Sequence, residues 1–221
     1  MAEKGLVMSQ IPEGGSPIWY TPNAFNQPEK LLVLICGAGR IRAGLFSVGV
    51  CAYHGINMGS ALPFIDYTQK NNTEVCILNP NHPGSRLIGN KYPNTWGCLK
   101  HSVAVFNELI IPGGAKKVYI VGHSMGGESV CAIANNYKEW FVTHVRATAL
   151  TDACESIVNG IDAYLDEHMI DWVCSEEEIN KQLSRSRLCP HRSAGTKDHP
   201  LSTGKALPYI LDFFKENGSE E

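Results

Sequence analysis

Apolar and polar positions along the chain alternate between two periods. "KLLVLICGAG" (30–39) is an unbroken apolar run ending in glycines, the pattern of a strand buried on both faces of a parallel sheet. "TEVCILNPN", "KKVYIVGHS" and "HVRATALTDA" repeat it, and "IDWVCS" and "PHRSAGT" are shorter versions. Between these runs the period lengthens. "AGLFSVGVCAYHGIN", "CLKHSVAVFNELII", the stretch from Gly126 to Tyr137, "SIVNGIDAYLDEHM" and "GKALPYILDFFKEN" read as helices, the last interrupted near its start by Pro208. "EEEINKQLSRSR" is a polar helix or loop. Six strands in alternation with helices predict an α/β fold with a mainly parallel central sheet and helices on both faces. The stretch between Asp152 and the next strand is too short for a cap domain. Any lid must come from loop 82–97, with Leu87, Tyr92 and Trp96, or from loop 175–189.

Residues 1–28 are rich in Gly, Pro, Asn and Ser and read as an irregular N-terminal arm. Residues 29–216 form the domain, and 217–221 a frayed acidic tail. With 221 residues, 43 % of them hydrophobic, the chain can bury a sizeable core as one domain. A net charge of −3 and the lack of any basic run argue against direct nucleic-acid binding. The start has neither a signal-peptide core nor a spanning segment, so the expectation is a soluble protein of the cytoplasm, the nucleus or both, without membrane contact. Eight cysteines without a C-x-x-C pair fit buried thiols in a reducing compartment. No metal or cofactor is expected. There is no H-E-x-x-H, no acidic metal cluster, and the Gly37–Gly39 loop does not match G-x-G-x-x-G.

The chemistry concentrates in "VYIVGHSMGGESV". Gly122, His123, Ser124, Met125 and Gly126 have the G-x-S-x-G spacing of a nucleophile elbow, between a strand and a helix. A serine needs a base within hydrogen-bond reach, a carboxylate behind the base, and donors for the developing oxyanion. Asp152 lies at the carboxyl end of the next strand and is the candidate acid. Asp171, inside an apparent strand, and Asp198, beside the candidate base, are its rivals. Among the later histidines, His144 precedes the acid, His168 sits near a helix end and His191 opens a strand. His199 lies between the last strand and the last helix, where the base belongs, and His123 should be turned away by the elbow. The Ser124 hydroxyl should therefore reach one His199 ring nitrogen, with Asp152 at the other. Oxyanion donors are the Met125 N–H and the N–H of Ala38 in the glycine loop after the first buried strand. Arg40, with Arg42 beyond it, is placed to hold an anionic group, and Tyr92 and Trp96 to line the substrate side.

Several blocks together resemble a known family. "LLVLICGAGRIRAG", "ALPFI", "EVCILNPN", "VGHSMGGESV", "ALTDA", "WVCS" and "SAGTKDHPLS" followed by "PYILDFF" look like the argonaute-binding domain of the α/β-hydrolase superfamily, over about residues 15–215. Fungal argonaute-binding proteins, tails of certain class II histone deacetylases and animal cotranscriptional regulators are similar. The resemblance implies an α/β-hydrolase fold and carries over Ser124, Asp152 and His199 as triad-like positions. It also brings the family's work as protein–protein adaptors in RNA silencing, chromatin and splicing. Pro200 stands where relatives tend to have an acidic residue, and Met125 replaces a more usual aromatic. Neither change removes a catalytic group. Two readings follow: a serine hydrolase of a small ester, thioester or acylated group, or a non-catalytic adaptor whose partners are argonaute or chromatin proteins.

Overall fold

A computed structural model of the chain describes residues 1–11, 16–81 and 98–218. Its strands are β1 (Val7–Ile11), β2 (Ser16–Tyr20), β3 (Lys30–Ile35), β4 (Glu74–Ile77), β5 (Lys117–His123), β6 (Val145–Thr151), β7 (Met169–Val173) and β8 (His191–Ser193). They form one sheet in the order β1-β2-β4-β3-β5-β6-β7-β8. β1 and β2 run antiparallel, and all pairs from β4 to β8 are parallel. This is the α/β-hydrolase arrangement, with β5 near the middle.

The unbroken apolar runs are explained by burial on both faces. In β3, Leu31, Val33 and Ile35 join one core, and Leu32 and Leu34 the other. The first core packs under α4 (Cys98–Val105), α5 (Met125–Asn136), α6 (Lys138–His144) and α7 (Asp162–His168). A π-helical turn, Phe106–Ile110, continues α4 and buries Phe106 and Ile110 there. The second core lies under α3 (Leu62–Lys70) and α8 (Ser202–Glu216), with α1 (Val48–His54) and α2 (Ile56–Gly59) beside them. Parallel strands need crossovers, and crossovers on both faces make a doubly covered sheet.

The structure corrects four local expectations. Residues 1–28 are not irregular throughout: they carry β1 and β2, which extend the sheet, and Ile18 is fully buried. Helix α3 had no counterpart in the pattern. The helix expected over 156–169 is confined to α7, because Gly160 takes a positive φ of 83° just before it. Helix α8 is not interrupted by Pro208. A proline removes one backbone bond, and the burial of Ala206, Ile210, Phe213 and Phe214 on one face outweighs that loss.

Candidate active site

Ser124 follows the last residue of β5 and precedes the first of α5, with φ 54° and ψ −122°. The strand and helix can meet so tightly only because the flanking positions lack side chains. A Cβ on Gly126 would stand 2.5 Å from the Ile35 carbonyl oxygen, and one on Gly37 would stand 2.7 Å from the Ser124 Cβ. Gly127 is equally constrained, since a Cβ there would meet Ala153 Cβ and the Cys154 carbonyl oxygen at 2.6 Å. The elbow is also tied to the loop that follows β6. The Ser124 carbonyl accepts the N–H groups of Gly127 and Cys154, both at 2.9 Å.

That loop presents Asp152, itself at a positive φ of 45°. Asp152 Oδ2 accepts the His199 Nδ1–H at 2.6 Å, and Oδ1 accepts the Cys174 backbone N–H at 2.8 Å. Burial alone would raise the Asp152 pKa, but the Cys174 and His199 bonds together hold it below the usual aspartate value. The acid thus stays ionised. His199 opens a short 3₁₀ turn, His199–Leu201, ahead of α8. The turn is anchored by the Ser202 hydroxyl on the His199 carbonyl, and α8 by Thr203 Oγ1 against Thr151 Oγ1 at 2.7 Å. The imidazole stacks on His123, with ring centroids 4.7 Å apart.

The structure brings the acid and the base together and bonds the Ser124 backbone N–H to the carbonyl of Thr151, next to Asp152, but no serine–histidine bond is formed among the described residues. Among the described residues the Ser124 hydroxyl makes no hydrogen bond. The rivals go elsewhere. Asp171 Oδ2 accepts the Ala153 N–H, His191 pairs with Glu155, and His144 and His168 bind backbone carbonyls. His123 is turned from the serine and bonds Thr151 through Nδ1. Its pKa falls to about 4, chiefly through burial and then through the nearby His199.

Ala38 is exposed in the loop after β3, and no hydrogen bond to its N–H is made among the described residues. Met125 is the first residue of α5, so its N–H has no acceptor within the helix. Two residues that the pattern did not single out complete the setting. Asn81 braces the glycine loop from both sides, donating to the Gly37 carbonyl at 2.6 Å and accepting from Gly39 N–H at 3.0 Å. Cys174 supplies the donor to Asp152. Their signal was position alone, each just past the carboxyl end of a strand. Arg40 is exposed on the same loop as Ala38. Tyr92, Trp96 and Leu87 lie outside the described residues. A cavity of about 210 Å³, lined by Lys30, Tyr67, Tyr119 and Phe214, opens at the amino ends of the strands, and among the described residues no serine, histidine or carboxylate lines it.

Comparisons with known proteins point the same way as the fold. Residues 9–96 match the Arb2 domain family. The chain is 23 % identical over 245 residues to the cotranscriptional regulator ARB2A homolog of Dictyostelium discoideum, covering 92 % of this chain and 64 % of that protein. It is 26 % identical over 261 residues to the cotranscriptional regulator ARB2A of Mus musculus, covering 92 % and 63 %. It therefore spans a little under two thirds of the length of these relatives. Among solved structures, the histone deacetylase Clr3 superposes with a TM-score of 0.64 at 10 % identity, over 96 % of this chain and 36 % of that one. At that identity the likeness is one of fold. The chain is similar to the Arb2-domain proteins, and residues 9–96 carry that likeness on a mainly parallel α/β sheet.

Proposed function

We propose that the chain is a serine hydrolase acting on an ester, thioester or other acyl group. The observation that carries this reading is Ser124 in a strained elbow after the central strand, beside an Asp152–His199 pair at 2.6 Å. In this reading Ser124 Oγ attacks the acyl carbon while His199 Nε2 takes its proton. Asp152 holds the Nδ1–H tautomer and stabilises the imidazolium, and the Ala38 and Met125 N–H groups receive the oxyanion. His199 then returns the proton to the leaving group, and water repeats the cycle on the acyl-enzyme. The open serine–histidine bond is compatible with this, because such bonds commonly tighten only around substrate. Arg40 would hold an anionic part of the substrate.

A second reading is supported by the relatives' names. As a cotranscriptional regulator it would work in the nucleus as an adaptor, with argonaute or chromatin proteins as partners. Its surface would then matter, and the elbow would be inherited architecture.

Labelling with a fluorophosphonate probe separates the two. A hydrolase labels at Ser124, and Ser124→Ala abolishes both labelling and ester cleavage. A folded wild type that resists the probe, with partner capture unchanged in Ser124→Ala, would leave the adaptor.

A further inference from the structure

Away from the elbow, a cluster of polar side chains borders the first core between the loop after β6 and strands β7 and β8. Cys189 lies in the bend just before β8, and His191 is the first residue of that strand. Cys189 is fully buried, and the His191 and Glu155 side chains are 20 % and 17 % exposed. His191 Nε2 donates to Glu155 Oε1 at 3.0 Å, and Cys189 Sγ lies 3.7 Å from the same oxygen. The three ligand-type atoms all fall within 4.8 Å of one another. A tetrahedral zinc with sulfur, nitrogen and oxygen ligands has edges of about 3.3–3.8 Å, so the trio needs adjustments of only a few tenths of an ångström to about 1 Å.

A second observation comes from the neighbouring strand. Asp171 is paired in register with His191, which sets both on one face of the sheet. It is 1 % exposed, its Oδ2 accepts the Ala153 N–H, and among the described residues its Oδ1 has no partner. A buried carboxylate oxygen left unpaired is costly and calls for a cation or a donor.

We propose that Glu155, Cys189 and His191 bind a zinc-type divalent cation, with Asp171 Oδ1 accepting a hydrogen bond from a water on the fourth position. Binding removes the proton of the Cys189 thiol to solvent, and His191 ligates through the Nε2 lone pair of its neutral Nδ1–H tautomer. The cation ties the loop after β6 to the chain entering β8, with β7 joined through Asp171. This inference is independent of whether Ser124 is catalytic.

Cobalt(II) added to chelator-stripped full chain is the probe. One ion per chain should give thiolate-to-cobalt charge-transfer absorption and tetrahedral visible bands, both displaced by zinc. Cys189→Ser should lose the charge-transfer band, and Glu155→Gln should lose tight binding while keeping the wild-type circular dichroism. Asp171→Asn should weaken binding about 10-fold or more, as the loss of outer partners does elsewhere. Cys174→Ser should leave the cobalt bands and affinity unchanged, although Asp152, Cys174 and His199 also lie within 4.8 Å of one another. Bands that vanish in Cys174→Ser and survive in Cys189→Ser would put the ion at the Asp152–His199 pair and overturn the proposal. So would the absence of a thiolate band in the wild type at one cobalt per chain, or unaltered tight binding in Glu155→Gln.

Discussion

Ser124 holds a backbone conformation that suits glycine, and among the described residues its hydroxyl has no hydrogen bond to lose. Strain of this kind costs about 1–3 kcal/mol, offset in part by the greater freedom of an unfolded glycine. Ser124→Gly should therefore raise the unfolding free energy by about 1 kcal/mol, whereas Ser124→Ala, which keeps the Cβ, should leave it near wild type. Paired denaturant melts would show it, and equal stability of the two variants would argue against strain at the elbow. Asp152 makes a sharper chemical prediction. Asp152→Asn keeps a carbonyl oxygen for the Cys174 N–H but presents the wrong partner to the His199 Nδ1–H. If the chain is a hydrolase, its turnover number should drop by about 10⁴-fold, the precedent in a serine protease. Activity close to wild type in that variant would remove Asp152 from the mechanism.

At the scale of elements, the meeting of β3, β5 and α5 leaves no space. Gly126→Ala would drive a Cβ to 2.5 Å from the Ile35 carbonyl oxygen, a backbone atom that cannot swing aside. The start of α5 must move off the sheet, at a cost of about 1–3 kcal/mol. Lower thermal and denaturant midpoints are expected, with loss of any probe labelling, because Met125 N–H moves with the helix. A variant as stable as wild type would mean that the contact is loose. The same tightness accounts for the glycine pair in "SMGGE": Gly126 faces the end of β3, and Gly127 faces the loop that carries Asp152.

For the whole molecule, pH is the simplest probe. His123 is buried against Thr151, with His199 stacked on it and Asp152 near, and its folded pKa of about 4 lies below the ordinary 6.5. The unfolded chain therefore binds more protons between those values. This group's contribution is present above pH 6.5 and is lost as pH falls toward 4. By pH 4.5 the loss is about 2–3 kcal/mol. His123→Asn, whose amide can replace the Nδ1–H donor to Thr151, should lose that much less stability than wild type between pH 7 and 4.5. Parallel slopes for the two proteins would place the acid sensitivity elsewhere.

Much of this protein was legible before any coordinates. Continuous apolar runs marked β3, β4, β5 and β6, because a strand covered on both faces can carry almost nothing else. The elbow was legible because its spacing is local: strand, turn and helix are contiguous in the chain. Asp152 and His199 could be placed at the right ends of their strands by topology alone. What the pattern could not supply was whatever depends on distant neighbours. β1 and β2 were read as irregular because a hairpin at the sheet margin needs little apolar sequence, only a partner strand to bond. Helix α8 runs through Pro208 because a packed face is worth more than one backbone bond. The open Ser124 hydroxyl, the brace from Asn81 and the gathering of Glu155, Asp171, Cys189 and His191 are likewise products of packing. Those groups come from separate strands and loops, and no spacing rule along a chain can bring them into one pocket.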